Sequence, residues 1–331
     1  MKEELKKNLE NLLKKNFNTV KVTCLEYLTG GASNETWKFQ ISSGLNKEDF
    51  ILRRSFGRSF GSSSPLAILK SEEAEIQRLV YKEGAPVPEI IAVADKDSPL
   101  GDAYIMKYVD GETIARKILR DEKYKLVRKN LAFECGAAIA KIHKVPIKKV
   151  KGLQNKSAKD LIDQLHDTYR SFQHPLPVFE YTFKWLKEQD FGSQRYNLVH
   201  GDFRLGNIIV DEHGLRAVID WELAHIGNPI QDLGWICVNS WRFGQSENIV
   251  GGFGQIKDLL KGYSSISKND ITNEQIKTWQ IFGTLRWGVI CLIQTFAHLI
   301  GENNSVERAA IGRRVSETEI DLVDMLFLGG N

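Results

Sequence analysis

Apolar residues recur at two different spacings along this chain, and the change between them falls near residue 112. In "KEELKKNLENLLKK" Leu5, Leu9, Leu12 and Leu13 return every three or four positions between Lys and Glu, the pattern of an amphipathic helix. Short runs rich in β-branched and aromatic residues follow: "TVKVTCLEYL", "ETWKFQIS", "DFILRR", and later "EIIAVA" and "AYIMKYV". These predict strands. A Gly/Ser segment, "FGRSFGSSS", separates the third run from a helix that Ser64-Pro65 opens and Gly84 stops.

Beyond residue 112 the helical spacing dominates. "EKYKLVRKNLAFECGAAIAKIHKV", "AKDLIDQLHDTYRSF", "VFEYTFKWLKEQ", "DLGWICVNSW", "NEQIKTWQIFGTLRWGVICLIQTFAHLI" and "SVERAAIGRRVSETEIDLVDMLF" all read as helices. One stretch, residues 197–222, supplies the only clear strands of this half. The expected organisation is a small β-rich lobe over 1–108, a crossover near 106–112, and a larger helical lobe over 109–331. The fold class is α+β.

Length and composition leave this picture standing. A chain of 331 residues can build two lobes, each with its own core. A formal net charge of +3 gives no reason to expect nucleic acid or a membrane as partner. Cys24, Cys135, Cys237 and Cys291 lie far apart with no CxxC pair, which argues against zinc and suits a reducing compartment. Lys and Glu interrupt the N-terminal segment, so no secretory signal is read there. The apolar run "WGVICLIQTF" is too short to cross a bilayer. The expected location is cytoplasmic; oligomeric state is not readable.

The chemistry is concentrated in "NLVHGDFRLGNIIVDEHGLRAVIDWE". Taking 208–210 and 215–219 as antiparallel strands with a tight turn at His213-Gly214 sets Val210 opposite Ala217 and Ile208 opposite Ile219. The same register sets Asn207 opposite Asp220, with Cβ atoms roughly 5 Å apart. A carboxylate and a carboxamide oxygen at one point suit Mg²⁺ when phosphate oxygens and water complete the shell. Asp202, five residues before Asn207, can stand beside that metal. Phosphoryl transfer needs such a metal and one carboxylate to orient the attacking hydroxyl and take its proton. Asp202 is the candidate base, and Asn207 and Asp220 are the candidate metal ligands.

The ordered set H-G-D-x4-N, hairpin, I-D-W-E resembles the Brenner-type motif of the aminoglycoside phosphotransferase and choline kinase superfamily. The resemblance extends to "GNPIQDLGW" and "AAIGRRVSETEIDLVDML", which look most like a bacterial branch related to the kinase-like domain of acyl-CoA dehydrogenase fusion proteins. It implies a bilobal protein-kinase-like fold, ATP as donor with GTP also compatible, Mg²⁺, and a small-molecule hydroxyl acceptor.

The resemblance also assigns further parts. In "LTGGASNE" the backbone around Gly30, Gly31, Ser33 and Asn34 would cover the phosphates. The third strand offers Arg53 and Arg54 where such folds usually carry Lys; alternation sends them to opposite faces, and alignment on the family's strand favours Arg53. Glu72, Glu73 and Glu75 compete to hold that cation, and counting back from "APVP" favours Glu75. Backbone groups of Met106, Lys107, Tyr108 and Val109 would meet the adenine edge. His200 and Asp232 are expected to support the catalytic loop. Arg204, Trp221 and Glu222 are the candidates for touching substrate, while Trp235, Trp241, Trp279 and Trp287 read as core.

The acceptor stays open at this level. Aminoglycosides are polycations, yet residues 233–331 carry nine Lys/Arg against ten Asp/Glu, with no large acidic excess. A Ser/Thr protein kinase is a weaker reading, because neither D-F-G nor A-P-E follows the hairpin. A non-catalytic nucleotide-binding module is the other alternative, and only the arginine in the third strand speaks for it.

Overall fold

In the computed structural model of the protein, the described residues are 2–17, 20–28, 35–43, 46–55, 68–95, 97–192, 196–301 and 305–330. Alternation along the strands decides how the first lobe is built. Strands β1 (Lys21–Leu28), β2 (Glu35–Ser43), β3 (Asn46–Ser55), β4 (Ile90–Val93) and β5 (Asp102–Lys107) form one antiparallel sheet in the order β1-β2-β3-β5-β4. Phe50 and Leu52 on β3 face the helix α1 (Lys2–Leu13), which buries Leu5, Leu9 and Leu13 against them. Ile51 points the other way, toward Ala74 of α2 (Lys70–Lys82), Tyr104 and Met106. Arg53 shares the Ile51 face by the period of two. Arg54, on the other face, is tied to Glu35 at 2.7 Å, its cross-strand neighbour. The Ser64-Pro65 helix start lies outside the described residues; the described helix begins at Lys70.

The second lobe is helical, as its pattern predicts. Its long elements are α4 (Lys125–His143), α5 (Ala158–Ser171), α6 (Pro177–Lys187) and α9 (Asn273–Leu299), with α3 (Ala115–Arg120), α7 (Ile230–Trp235) and α8 (Ile256–Ser264) beside them. Residues 232–241, expected as one helix, instead divide into α7 and a 3-10 turn at Asn239–Trp241. The C-terminal run forms α10 (Val306–Gly312), α11 (Val315–Val323) and a π turn. A second strand pair, β6 (Asn197–Val199) with β9 (His225–Gly227), flanks the hairpin β7 (Ile208–Asp211) and β8 (Gly214–Val218), so the hairpin is not the only sheet of this half. Among the described residues no helix is long and apolar enough to cross a membrane.

Backbone bonds tie both the crossover and the small lobe to the hairpin. Glu112 exchanges two hydrogen bonds with Val210, at 2.8 and 3.0 Å, and the Val218 N–H donates to Pro86 O at 2.8 Å. Gly111 makes the first pair possible: its φ is +146°, and a Cβ there would lie 2.5 Å from Ile209 Cγ2. From the other side, Glu134 of α4 accepts the Leu215 N–H at 2.7 Å and fixes the hairpin turn.

Helix α4 holds that position through a close crossing with α8. A Cβ on Gly262 would come 1.9 Å from Phe133 O, and one on Gly136 would come 2.0 Å from Leu259 O. Both clashes are with backbone, which cannot rotate away. Gly262→Ala is therefore expected to destabilise the protein by about 1–3 kcal/mol, as overpacking of a close helix contact does. Chemical denaturation checks this; an unchanged midpoint would contradict the close crossing.

Candidate active site

The loop between β6 and β7 carries Asp202, and a buried carboxylate shapes it. Asp232, at the start of α7, accepts the His200 N–H and the Gly201 N–H, both at 2.9 Å, and meets His143 Nε2 at 3.0 Å. Burial alone would raise its pKa, but the His143 bond and charge and the loop amides outweigh that and hold it below the ordinary carboxylate value. Gly201 sits at φ +79°, and a Cβ there would be 2.4 Å from Leu223 O. Only glycine lets the loop approach the segment after β8 so closely.

His200 links the two halves of the site. The Asp202 N–H donates to its Nδ1 at 3.2 Å, so Nε2 carries the proton and donates to Ile219 O at 3.1 Å. Burial lowers its pKa, which keeps the ring neutral in this arrangement. Trp221 lies against His200, with ring centroids 4.5 Å apart, and is completely buried. The substrate role read for Trp221 is thus corrected: it is core, and it backs the histidine.

The hairpin register also needs correction. The Asp211 carboxylate accepts the His213 and Gly214 amides and pulls the turn back by one residue. A bulge between Ile209 and Val210 then pairs Ile208 with Val218 and Ile209 with Ala217. Ile219, not Asp220, comes opposite Asn207, through Ile219 N–H to Asn207 O at 2.9 Å. Asp220 follows at φ +69°, a left-handed conformation uncommon outside glycine. Sequence gives no sign of the bulge.

The Asn207 amide donates to the Asp202 carboxylate at 2.6 Å and to Asp202 O at 3.0 Å. That leaves its carboxamide oxygen as the acceptor. Asp202 also receives Trp235 Nε1 at 2.7 Å and Arg204 Nε at 3.2 Å. Trp235 was read as core; its ring is buried, but its N–H is spent on Asp202. Arg286, unremarked in the sequence, holds Gly201 O at 2.8 Å and places its guanidinium 4.5 Å over the Trp235 ring.

Across the cleft, Arg53 Nη2 meets Asp220 Oδ1 at 2.7 Å, and Arg53 Nε is buried without a partner. Burial opposes the charge of Asp220, yet Arg53 holds its carboxyl below the usual range. The helix carboxylate nearest this pair is Glu73, which receives Lys70 Nζ and the Tyr104 hydroxyl, the latter at 3.1 Å. Glu75 is corrected: it is exposed and paired with Arg78. Helical phase could have found this, since Lys70, Glu73, Ala74, Gln77 and Val80 share the buried face and Glu75 does not. Glu222 lies beside the cluster, and burial followed by the Asp220 charge pushes its pKa up to about 7.

The adenine reading is narrowed. The Lys107 N–H is taken by Glu89 O at 2.9 Å and the Tyr108 N–H by Asp49 O at 3.0 Å. Those two amides serve the lobe itself; Met106 is buried beneath them and Val109 follows. Gly30, Gly31, Ser33 and Asn34 lie outside the described residues.

Does this donor set fit magnesium? Among the described residues no three His, Cys, Asp or Glu side chains converge on a metal position. One carboxylate and one carboxamide oxygen, finished by nucleotide oxygens and water, is nevertheless a usual magnesium shell. Asp220 already faces a cation, and the orphaned Arg53 Nε suits a phosphate oxygen. The residues fit both groups.

The model of a family described as "Phosphotransferase enzyme family" matches residues 25–266. Acyl-CoA dehydrogenase family member 11 of Pongo abelii is 30% identical over 212 residues, covering 61% of this chain and 26% of that protein. The chain thus spans about a quarter of the length of the curated relatives it matches. A Ralstonia eutropha protein assigned as an aminoglycoside phosphotransferase shares the fold at a TM-score of 0.74 and 20% identity, with 95% of each chain covered. A spectinomycin phosphotransferase solved with ADP and spectinomycin does so at 0.61 and 14%, over 94% of this chain and 93% of its own. The family model covers nearly all of the sheet and the loop that carries Asp202, and on that ground the chain belongs to the phosphotransferase enzyme family.

Proposed function

We propose that this phosphotransferase moves the γ-phosphoryl group of ATP to a hydroxyl of a small-molecule acceptor, with Asp202 as base and Asn207 and Asp220 as magnesium ligands. The observation that carries this reading is the Asn207 amide on the Asp202 carboxylate at 2.6 Å. One residue then aligns the base with its donor end and offers the metal its oxygen end. The spectinomycin phosphotransferase, which holds ADP and an antibiotic together, supports nucleotide and small hydroxyl compound as the two substrates.

The chain's own groups divide the work. Asp202, held by Trp235, Arg204 and Asn207, is aimed before substrate arrives. The acceptor oxygen forms its bond to the γ-phosphorus while the bond from that phosphorus to the β,γ-bridging oxygen breaks. The hydroxyl proton passes to Asp202, and ADP leaves with the electron pair. Arg53, free to leave Asp220, supplies positive charge to the phosphates. Magnesium, when bound at Asn207 and Asp220, neutralises phosphate charge.

Two variants test the assignment. Asp202→Asn keeps shape but not proton acceptance, so nucleotide binding should persist while turnover falls by roughly 10²–10⁴; equal turnover in the two proteins would remove Asp202 from the base role. Asp220→Ala should abolish the magnesium-dependent part of the thermal shift given by ADP. A shift that still depends on magnesium in this variant would place the metal elsewhere.

A further inference from the structure

Helix α2 carries a cation that the proposed chemistry leaves unused. Lys70, its first residue, is 3% exposed and closes on Glu73 of the same helix, which has no exposed surface. The start of α2 is held from both lobes. The Asp102 carboxylate on β5 accepts the Lys70 N–H at 2.7 Å and the Ser71 N–H at 3.0 Å. Two residues before Lys70, the Ile68 N–H donates to Glu222 O at 3.0 Å. An ammonium buried this deeply needs a carboxylate beside it, and Glu73 is that partner.

Glu73 is also the helix carboxylate that Arg53 would otherwise meet. Arg53 and Tyr104 stand opposite each other across β3 and β5, so their side chains rise on one face of the sheet. From that face the Tyr104 hydroxyl donates to Glu73 Oε2 at 3.1 Å, while Lys70 takes Oε1. Burial works against the Arg53 charge, yet Tyr104, Asp220 and Glu73 raise its pKa well above the usual arginine value, which puts Glu73 within electrostatic reach. Arg53 nonetheless bonds Asp220, at 2.7 Å. Each Glu73 oxygen already has a donor, and Lys70 has cancelled the charge.

When a metal takes Asp220, the guanidinium has two negative partners left, the helix carboxylate and the nucleotide phosphates. We infer that Lys70 is a positioning residue for nucleotide binding: by occupying Glu73 it keeps Arg53 from folding back onto α2 and leaves it for phosphate. The inference rests on the phosphotransferase reading above and adds to it a residue that none of its motifs contains. Lysine suits the task, because its compact ammonium neutralises a carboxylate three residues along the same helix.

The test measures, on the full chain, how much more tightly Mg·ADP binds than adenosine, by calorimetric titration and displacement. That ratio reports the grip on phosphate, whereas a general loss of stability weakens both ligands alike. Lys70→Met should lower the ratio about tenfold or more, as loss of a charged contact to phosphate does, with adenosine affinity kept. Adding Glu73→Gln should restore it, because nothing then draws Arg53 away, and Lys70→Arg should keep it. In an Arg53→Met background, where the ratio is already low, Lys70→Met should lower it no further. Lys70→Gln keeps a hydrogen bond to Glu73 without the charge, and it gives the same comparison should the methionine variant fail to fold. An unchanged ratio in the Lys70 variants, or no recovery with Glu73→Gln, overturns the inference. A further loss in the Arg53→Met background also overturns it, by putting Lys70 itself on phosphate. A wild-type chain with no affinity for Mg·ADP removes the phosphotransferase reading as well, whereas a tight wild type indifferent to Lys70 removes the inference alone.

Discussion

A carboxylate with no exposed surface, Asp232, organises the loop that carries Asp202. Its two oxygens collect two consecutive backbone amides and one imidazole, so the loop at His200 and Gly201 has one place to go. Breaking a buried charge network by removing one partner typically costs about 3–5 kcal/mol. An exposed pair such as Arg78 with Glu75 is worth about 0.2–1 kcal/mol. The contrast shows where the chain has concentrated its positional information. From Asp232 the constraint passes through His200 to Ile219 O, and so to the residue before Asp220. Asp202, the proposed base, and Asp220, the proposed metal ligand, belong to different segments, and one neutral histidine ties them together.

The cleft between the lobes is crossed by a second charge pair of another kind. Arg53 on the sheet and Asp220 on the hairpin neutralise each other at 2.7 Å, while Lys70 satisfies Glu73 within α2. The strand cation is therefore on Asp220 of the hairpin segment rather than on the helix carboxylate. Arginine suits that position, because its planar fork binds carboxylate and phosphate alike and can pass from Asp220 to the nucleotide. Its Nε is buried without a hydrogen-bond partner.

How much of this was legible beforehand differs by level. The bilobal α+β architecture followed from two hydrophobic periods, since spacing reports which face is buried whatever the tertiary detail. The helix expected over 273–300 is found at Asn273–Leu299, with its start fixed by a capping box at Thr272. The segment carrying Asp202, Asn207 and Asp220 stood out because polar residues closed apolar runs. What stayed hidden was set by tertiary contact. Trp221 and Trp235 are chemically alike in the sequence, yet one backs His200 and the other bonds Asp202. The one-residue shift at Asp220 came from an Asp211 turn and a bulge, both invisible to alternation. Counting from the "APVP" motif favours Glu75, whereas helical phase points to Glu73. Phase is the better guide there, because it follows burial.

If Asn207 and Asp220 share one magnesium position next to Asp202, Arg53 must yield Asp220 to the metal. A crystal structure with Mg²⁺ and ADP measures this directly. The expected result is the ion on the Asn207 carboxamide oxygen and an Asp220 oxygen, with Arg53 moved onto phosphate. Magnesium bound elsewhere, or Arg53 still closed on Asp220 with nucleotide in place, would contradict it.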